Sequence, residues 1–279
     1  MGKKAFLEIT NVCNLSCSFC HKTKRPARYM TVEEFSVAAG KVRSFADFLY
    51  FHVVGEPLMH PNLQKLFDIA SDLGFKVIIT TNGTLLKERE EVLLGAKALY
   101  KVSISLHSFE ATEQKRDFQK YLDECFDFCE RASKRGIIVV MRLWNLGAED
   151  TLNDKVLKMM HSRFSDEQWT ETRSGMRIAD RIYLEWGERF EWPDEDADEK
   201  GANISCWGLR DQIGILSDGT VVPCCLDSDG AIPLGNIFKD ELSDILSCER
   251  ALALKSSFER RCVKEKLCLG CGYAHLKGY

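Results

Sequence analysis

The sequence lacks the features that would place the chain in a membrane, on nucleic acid or outside the cell. No stretch of its 279 residues approaches the ~20 apolar residues that a membrane span needs. The first ten residues have no apolar signal-peptide core, and Phe6 stands where N-myristoylation requires serine or threonine. Lysine and arginine number 38 against 42 acidic residues, and the net charge of -4 offers no basic surface. We therefore expect a cytoplasmic protein that binds neither membranes nor nucleic acid.

Cysteine, in contrast, is abundant, with 12 residues in the chain. In a secreted protein such a number would suggest disulfides, but no export signal is visible here. Reducing compartments keep thiols free, and free thiols in number indicate metal binding. The length suits one large domain and one small domain.

Three of these cysteines, Cys13, Cys17 and Cys20, lie within the first twenty residues in a C-x3-C-x2-C pattern. Three thiolates are one short of closing a four-iron cluster, so one iron keeps an open position, as catalytic metal sites do. A zinc loop with a distant fourth ligand, or three free thiols, would use the same residues. Zinc knuckles usually combine two close pairs, and no second pair follows this triplet closely. The triplet therefore predicts an iron-sulfur cluster with an open iron.

The spacing, with the aromatic Phe19 directly before the last cysteine, resembles the signature of the radical S-adenosylmethionine (SAM) superfamily. In that family the amino and carboxylate groups of SAM chelate the open iron, and a glycine-glutamate segment after the second strand holds the amino group. Here an apolar run ends in Gly55-Glu56, with Val54 where the family usually has a first glycine. The resemblance implies that Gly55 and Glu56 contact SAM. By itself the segment would equally suit a turn at the end of a strand.

Strand and helix patterns alternate along the first part of the chain. The predicted strands cover residues 5–10, 48–54, 76–81, 101–107, 136–144 and 177–186. Between them, Thr31 and Glu34 predict a capping box, and Leu63, Leu66 and Phe67 form one helical face. Six such repeats predict an α/β fold with a parallel sheet, a partial (β/α)6 TIM-like barrel, and an active site at the carboxyl ends of the strands.

The resemblance also implies SAM contacts at the ends of the fourth and fifth strands. Ser103 or Ser105 would touch the ribose, and Arg142 would meet the carboxylate. An arginine in an apolar strand needs an anionic partner, which a protein carboxylate would equally supply. His52, His60 and His107 are either substrate contacts or polar strand ends, and His107 is a weak candidate for a catalytic residue.

The composition changes between residues 188 and 200, where seven acidic residues stand against two basic ones. Such a segment predicts a solvated connection rather than a binding face. It divides the chain into a barrel domain at residues 1–190 and a second region, residues 191–279, that comprises the acidic linker and a small domain.

Residues after this segment include seven of the twelve cysteines. Cys206 and Cys224 flank a predicted hairpin that turns at Ser217-Asp218-Gly219, and Cys268 and Cys271 follow near the end. Four thiolates from separated segments can close a second iron-sulfur cluster or a zinc site. The wide interval between Cys206 and Cys224 favours iron and sulfide over zinc.

The C-x12-G-x4-C hairpin and the terminal cysteines resemble the SPASM and twitch extensions of radical SAM enzymes. The resemblance implies one auxiliary [4Fe-4S] cluster, held by the four cysteines just named. Cys225, Cys248 and Cys262 receive no ligand role. Cys225, next to a predicted ligand, is the second weak candidate for a catalytic residue, as an acid-base thiol; a buried bystander is the alternative.

These resemblances together imply a radical SAM oxidoreductase. In the family a reduced cluster cleaves SAM to a 5′-deoxyadenosyl radical that abstracts a substrate hydrogen, and an auxiliary cluster can accept an electron to complete a two-electron oxidation. The implied cofactors are the three-cysteine [4Fe-4S] cluster, SAM and one auxiliary [4Fe-4S] cluster. The expected partners are a small-molecule or short peptide substrate and a low-potential reductant such as flavodoxin or ferredoxin.

Two alternatives remain open at the level of sequence. The same apparatus serves peptide-modifying enzymes that epimerise residues or form crosslinks, and fold-level analogy does not separate these outcomes from dehydrogenation. A non-catalytic iron-sulfur or zinc carrier or scaffold would also contain these cysteines, but Gly55-Glu56 would then have no role.

Overall fold

The computed structural model describes residues 2–111, 116–148 and 151–276. The strands in this part of the chain are β1 (Lys4–Leu7), β2 (Phe48–Tyr50), β3 (Lys76–Thr81), β4 (Leu99–Ser105), β5 (Ile138–Leu146), β6 (Thr170–Thr172), β7 (Gly175–Ala179), β8 (Ile182–Glu188), β9 (Gln212–Ile215), β10 (Thr220–Val222) and β11 (Gly235–Asn236). The helices are α1 (Val32–Val42), α2 (Leu63–Asp72), α3 (Leu86–Gly95), α4 (Phe118–Lys134), α5 (Asn153–Arg163), α6 (Leu242–Ser247), α7 (Glu249–Glu259), α8 (Lys266–Leu269) and α9 (Gly272–Leu276).

The strands form one sheet in the order β11-β10-β9-β1-β2-β3-β4-β5-β8-β7-β6. Each neighbouring pair from β1 through β5 to β8 is parallel, and α1 to α5 follow the first five of these strands in turn. The predicted α/β fold with a parallel sheet is therefore confirmed. Within the described ranges the sheet is open, because β11 and β6 stand at opposite ends of the strand order.

Local sequence explains the start of α1 and the buried face of α2. Thr31 accepts a hydrogen bond from the Glu34 amide at 3.1 Å, and the Glu34 carboxylate accepts one from the Thr31 amide at 2.9 Å. This is the predicted capping box, which satisfies two amides that the first turn of α1 leaves without helical partners. The α2 face formed by Leu63, Leu66 and Phe67 is buried, as its spacing predicts.

The region predicted as a sixth strand, residues 177–186, differs from the structure. It is a hairpin in which β7 runs antiparallel to β8, with Ala179 opposite Ile182 and Asp180-Arg181 as the turn. Arg181 adopts a φ of 54°, in the left-handed region that such turns use. Ile178, Ile182 and Leu184 keep one alternating register across the turn and only Asp180 departs from it, so periodicity alone does not reveal the reversal. Only β8 continues the parallel sheet.

The cysteine-rich region extends the same sheet beyond β1. Strand β9 pairs in parallel with β1, and β10 returns antiparallel to β9 through the predicted hairpin turn, where Gly219 has a φ of 86°. The division near residue 190 stays a prediction, and the strands on its two sides, β8 and β9, belong to one sheet.

The apolar core lies between this sheet and the helices that cover it. Ala5 and Leu7 of β1 are completely buried, as are Phe35 of α1 and Tyr121 and Phe126 of α4, to within 1%. Across the ranges described, no helix combines the length and the apolar character that crossing a bilayer requires. The helices cover one face of the parallel strands, and side chains on the other face line a cavity.

Candidate active site

A cavity of about 1110 Å³ lies between the parallel strands and the cysteine-rich region. All seven cysteines that the sequence singles out as cluster ligands contribute to its wall, namely Cys13, Cys17, Cys20, Cys206, Cys224, Cys268 and Cys271. Side chains from β1, β2, β3, β4 and β5 complete the wall on the barrel side. The cavity therefore brings both predicted cysteine groups to one space.

The first cysteine group lies on the loop between β1 and α1. The Cys20 amide donates to the Cys17 carbonyl at 3.2 Å, and the Cys17 thiol donates to the Ser108 carbonyl at 3.7 Å. Burial raises the pKa of Cys13 to about 11, and the charges of Glu56, Cys17 and Cys20 raise it further. A cationic iron centre reverses this penalty, because it stabilises thiolates directly. The donor set thus fits an iron-sulfur cluster.

Gly55 holds the backbone of this loop close to the end of β2. Its φ is 82°, and a Cβ placed there would lie 2.5 Å from the Thr10 carbonyl oxygen. The next amide, that of Glu56, donates to the Val12 carbonyl at 2.8 Å. Since only glycine tolerates both the positive φ and the contact, this position fixes the chain directly before Cys13.

The Glu56 carboxylate is buried and accepts three hydrogen bonds from within the protein. Its Oε1 accepts hydrogen bonds from the Leu58 amide at 3.0 Å and from the Thr81 hydroxyl at 2.8 Å, and its Oε2 accepts one from the Asn82 amide at 2.8 Å. Burial raises the pKa of Glu56 to about 7, while these hydrogen bonds lower it. Glu56 is not among the residues that line the cavity, whereas Gly55 is. A contact between Glu56 and the SAM amino group stays a prediction.

Of the remaining predicted cofactor contacts, three line the cavity and one does not. Phe19, Ser105 and Arg142 line the cavity, whereas Ser103 is completely buried and does not, and its hydroxyl has no hydrogen-bond partner among the described residues. The Arg142 Nε lies 3.6 Å from a Glu185 carboxylate oxygen, so a protein acid does face it. The roles of these residues stay predictions.

Both candidates for a catalytic residue, His107 and Cys225, line the cavity. The His107 Nδ1 lies 3.1 Å from the Arg142 carbonyl and 3.3 Å from the Trp144 amide, and its ring centre is 5.0 Å from that of Phe19. Burial lowers the pKa of His107 to about 4, so the imidazole is neutral at pH 7.

The four cysteines of the second group are neighbours in space. Burial raises the pKa of Cys224 well above its ordinary value, and the nearby charges of Cys206 and Cys268 add to this. Burial also raises the pKa of Cys268, and Cys206 and Cys271 raise it further. Four desolvated thiols that penalise one another's ionisation are a donor set that a multi-iron centre would stabilise.

Neither cysteine group has the geometry of a single-ion site. Within residues 2–111, 116–148 and 151–276, no three histidine, cysteine, aspartate or glutamate side chains converge closely enough to hold one metal ion. A mononuclear zinc site needs such convergence.

The connecting segment at residues 188–193 is a part of the site that sequence reasoning missed. These residues line the cavity, so the prediction of a merely solvated connection is wrong for this half of the acidic segment. The Trp192 indole donates to the Phe19 carbonyl at 3.0 Å, and the ring centre of Phe190 is 5.2 Å from that of Tyr273. The available signal was the pair of large aromatic residues within an otherwise acidic stretch.

Polar contacts that the sequence did not predict connect the first cysteine loop to the cysteine-rich region. Arg25 meets both carboxylate oxygens of the buried Glu8 at 2.7 Å and donates to the Ser228 carbonyl at 2.8 Å. The Asp229 carboxylate accepts hydrogen bonds from the Thr23 hydroxyl and the Lys24 amide. These contacts hold the loop after Cys20 against the segment after Cys225.

Comparison with known proteins agrees with this arrangement. The sequence profile of the radical SAM superfamily matches residues 7–154, and that of the SPASM iron-sulfur cluster-binding domain matches residues 206–272. The matches cover both cysteine groups.

Among relatives, the chain is 26% identical over 278 residues to the sporulation killing factor maturation protein SkfB of Bacillus subtilis, covering 89% of this chain and 66% of SkfB. It is 27% identical over 315 residues to the antilisterial bacteriocin subtilosin biosynthesis protein AlbA of the same organism, covering 100% of this chain and 68% of AlbA. The chain thus spans about two thirds of the length of these relatives.

Among solved structures, the fold is similar to that of BtrN in complex with AdoMet and 2-DOIA. The TM-score is 0.61 at 19% identity, and the match covers 97% of this chain and 93% of BtrN.

Proposed function

This chain belongs to the radical SAM superfamily, and on that basis we propose that it is a peptide-modifying enzyme that removes hydrogen from its substrate and completes a two-electron oxidation. The observation that supports this proposal most directly is the single cavity of about 1110 Å³ with both cysteine groups in its wall. An initiating centre and an accepting centre would face the same substrate space.

The superfamily implies a [4Fe-4S] cluster and SAM at the first cysteine group. We assign the cluster to Cys13, Cys17 and Cys20. When bound, the reduced cluster and SAM supply a 5′-deoxyadenosyl radical that removes a hydrogen atom from an unactivated C–H bond. The chain supplies the three thiols without a fourth cysteine and keeps Phe19 and Gly55 at the adjacent wall.

The SPASM domain implies auxiliary iron-sulfur clusters, and we assign one to Cys206, Cys224, Cys268 and Cys271. When bound, it supplies a one-electron acceptor. The oxidation also releases a proton. His107 lines the cavity in its neutral form and can accept this proton, although its lowered pKa makes it a weak base.

Two observations support a peptide as the substrate. SkfB and AlbA, which the chain resembles over most of its length, are proteins of killing-factor maturation and bacteriocin biosynthesis. The cavity wall also includes Trp144, Phe190 and Trp207, which suit packing against a peptide segment.

Epimerisation is the second candidate function, and the position of Cys225 favours it. This thiol lines the cavity, lies outside the assigned ligand set, and packs against the apolar cluster of Phe6 and Val222. After hydrogen abstraction from one face of a carbon, a thiol on the other face can return a hydrogen atom, which inverts the centre and leaves a thiyl radical for the reductant to restore. This outcome needs no electron transfer from the substrate.

The test of the general proposal is an anaerobic assay of the reconstituted, reduced full-length chain with SAM. We expect 5′-deoxyadenosine and methionine to form. Protein with intact clusters that yields neither product would instead be the non-catalytic carrier.

Two variants, assayed with a peptide substrate, distinguish oxidation from epimerisation. If oxidation is correct, the product lacks two hydrogens, and Cys268→Ala lowers the ratio of oxidised peptide to 5′-deoxyadenosine while Cys225→Ala does not. If epimerisation is correct, the product keeps its mass, gains solvent deuterium in D2O, and disappears in Cys225→Ala. Circular dichroism of both variants controls for folding.

A further inference from the structure

Three polar side chains beside the first cysteine loop form a closed ring of hydrogen bonds. The Asn82 Nδ2 donates to the Asn14 Oδ1 at 2.9 Å, and the Asn14 Nδ2 donates to the Thr84 hydroxyl at 2.8 Å. The Thr84 hydroxyl donates in turn to the Asn82 Oδ1 at 2.7 Å. Asn14 directly follows Cys13, whereas Asn82 and Thr84 follow the end of β3. The ring therefore joins the cysteine loop to the end of a parallel strand.

The orientation of the Asn82 side chain is determined by its partners. Its Oδ1 also lies 3.0 Å from the backbone amide of Thr84, which can only donate, so the oxygen faces Thr84 and the nitrogen faces the cysteine loop. The backbone of Asn82 is held as well. Its amide donates to the Glu56 Oε2 at 2.8 Å, and its carbonyl accepts a hydrogen bond from the Tyr121 hydroxyl at 2.8 Å. The buried Asn82 side chain thus has a fixed position.

The ring uses only one of the two N–H groups of the Asn82 side chain, and the same nitrogen lies beside Cys13. A primary amide has two donors, and Asn14 accepts from one of them. The Asn82 Nδ2 is 3.9 Å from the Cys13 Sγ, and the Leu15 amide is 3.4 Å from the same sulfur. The Asn82 contact is long for a neutral thiol. It would strengthen if the sulfur carried the negative charge of a cluster ligand.

Hydrogen bonds to the sulfurs of an iron-sulfur cluster are one of the means by which a protein sets the reduction potential of the cluster. Reduction adds negative charge, so a neighbouring N–H donor stabilises the reduced cluster more than the oxidised cluster. Removal of the donor lowers the potential and makes the cluster harder to reduce. The proposed reaction begins with this reduction, so a donor at Cys13 would act on its first step.

We propose that Asn82 is a positioning residue that acts on the first cluster through Cys13. Its second N–H donates to the Cys13 thiolate and raises the reduction potential of the cluster, while the ring with Asn14 and Thr84 holds the amide in place. The inference deepens the proposed function and depends on its assignment of the first cluster to this loop. The competing outcome is a ring that braces the loop without any effect on the potential.

The experiment is a redox titration of the anaerobically reconstituted full-length chain, followed by electron paramagnetic resonance. The first cluster is the one whose reduced spectrum changes when SAM is added, and the second cluster is the internal reference. Asn82→Leu is neutral and similar in size. It should lower the equilibrium constant for reduction of the first cluster about fivefold, which is about 40 mV for a one-electron couple, and leave the second cluster unchanged. An unchanged potential of the first cluster would overturn the proposal.

Thr84→Val is the matched control. It breaks the same ring but keeps both the Asn82 nitrogen and the Thr84 amide that orients the Asn82 side chain. It should change the equilibrium constant by less than about twofold, which is about 20 mV. Equal shifts in Thr84→Val and Asn82→Leu would mean that the ring only braces the loop, and this would reject the proposal.

Asn82→Ala replaces Asn82→Leu if the larger side chain prevents assembly of the first cluster. It removes the same donor without adding bulk, and an unchanged potential in this variant rejects the proposal. Failure of the proposed function is a separate result. It would appear as a wild-type chain without iron at the first cysteine group, whereas an intact first cluster with the wild-type potential in the Asn82 variants contradicts only the role of Asn82.

Discussion

Arg25 meets both carboxylate oxygens of Glu8 at 2.7 Å, although the Glu8 side chain is completely buried and that of Arg25 is only 13% exposed. Glu8 accepts a further hydrogen bond from the Ser217 amide at 2.9 Å. The pair lies between the first cysteine loop and the hairpin of the cysteine-rich region. It therefore couples the two parts of the active site.

Replacement of Arg25 by Met should lower the free energy of unfolding by about 3–5 kcal/mol, because it leaves a buried carboxylate without its counterion. Urea unfolding of the reconstituted protein measures this. The exposed pair of Arg177 and Asp180 provides the control, since Arg177→Met should cost at most ~1 kcal/mol. If the Arg25→Met protein is as stable as the control, the pair does not stabilise this junction.

Gly55→Ala should prevent assembly of the first cluster, because the new Cβ would lie 2.5 Å from the Thr10 carbonyl at a φ of 82°. We expect the variant to lose the iron of the first group and SAM cleavage together. Gly74→Ala is the matched control: its φ is 74° and its Cβ meets nothing within 4 Å, so only the conformational cost of about 1–2 kcal/mol applies. Equal iron content in the two variants would contradict the close contact at Gly55.

The two cysteine groups should contribute to the iron content independently. The wild-type chain should bind about eight irons, and simultaneous replacement of Cys13, Cys17 and Cys20 by Ala should leave about four and abolish SAM cleavage. Iron analysis of the anaerobically reconstituted proteins measures this. Undiminished iron in the triple variant would reject the assignment of the first group.

Trp192→Phe should make the first cluster easier to remove. The indole of Trp192 donates to the Phe19 carbonyl at 3.0 Å, and its loss leaves that carbonyl unpaired beside Cys20. A hydrogen bond of this kind contributes about 1 kcal/mol, so we expect roughly fivefold faster iron loss to a chelator. Trp169→Phe is the control, since the Trp169 Nε1 has no hydrogen-bond partner among the described residues. Equal rates in both variants would show that the segment at residues 188–193 does not support the cluster loop.

The sequence predicted those parts of the fold that depend on local pattern. The capping box at Thr31, the buried face of α2 and the hairpin at Gly219 follow from side-chain spacing and turn chemistry, and all three are confirmed. The turn at Arg181 was missed because Ile178 and Ile182 keep the same alternating register on its two sides, and a two-residue reversal leaves little composition signal.

The residues of the site could be predicted where the spacing of cysteines along the chain indicates a metal cluster. All seven predicted ligand cysteines reach one cavity, although their roles as ligands stay predictions. The contacts of Trp192 with Phe19 and of Arg25 with Glu8 connect residues far apart in sequence, and no local pattern specifies such pairs. The position of Glu56 behind the wall likewise depends on its three hydrogen-bond donors, two of which lie on or just after β3.

The parallel pairing of β1 with β9 also governs how the chain can be cut. Strand β1 pairs with β2 on one side and with β9 on the other. A fragment that stops near residue 190 would therefore expose the backbone amides and carbonyls of β1 along a bare edge, and such edges recruit other chains. Expression of the barrel region alone should therefore yield aggregates.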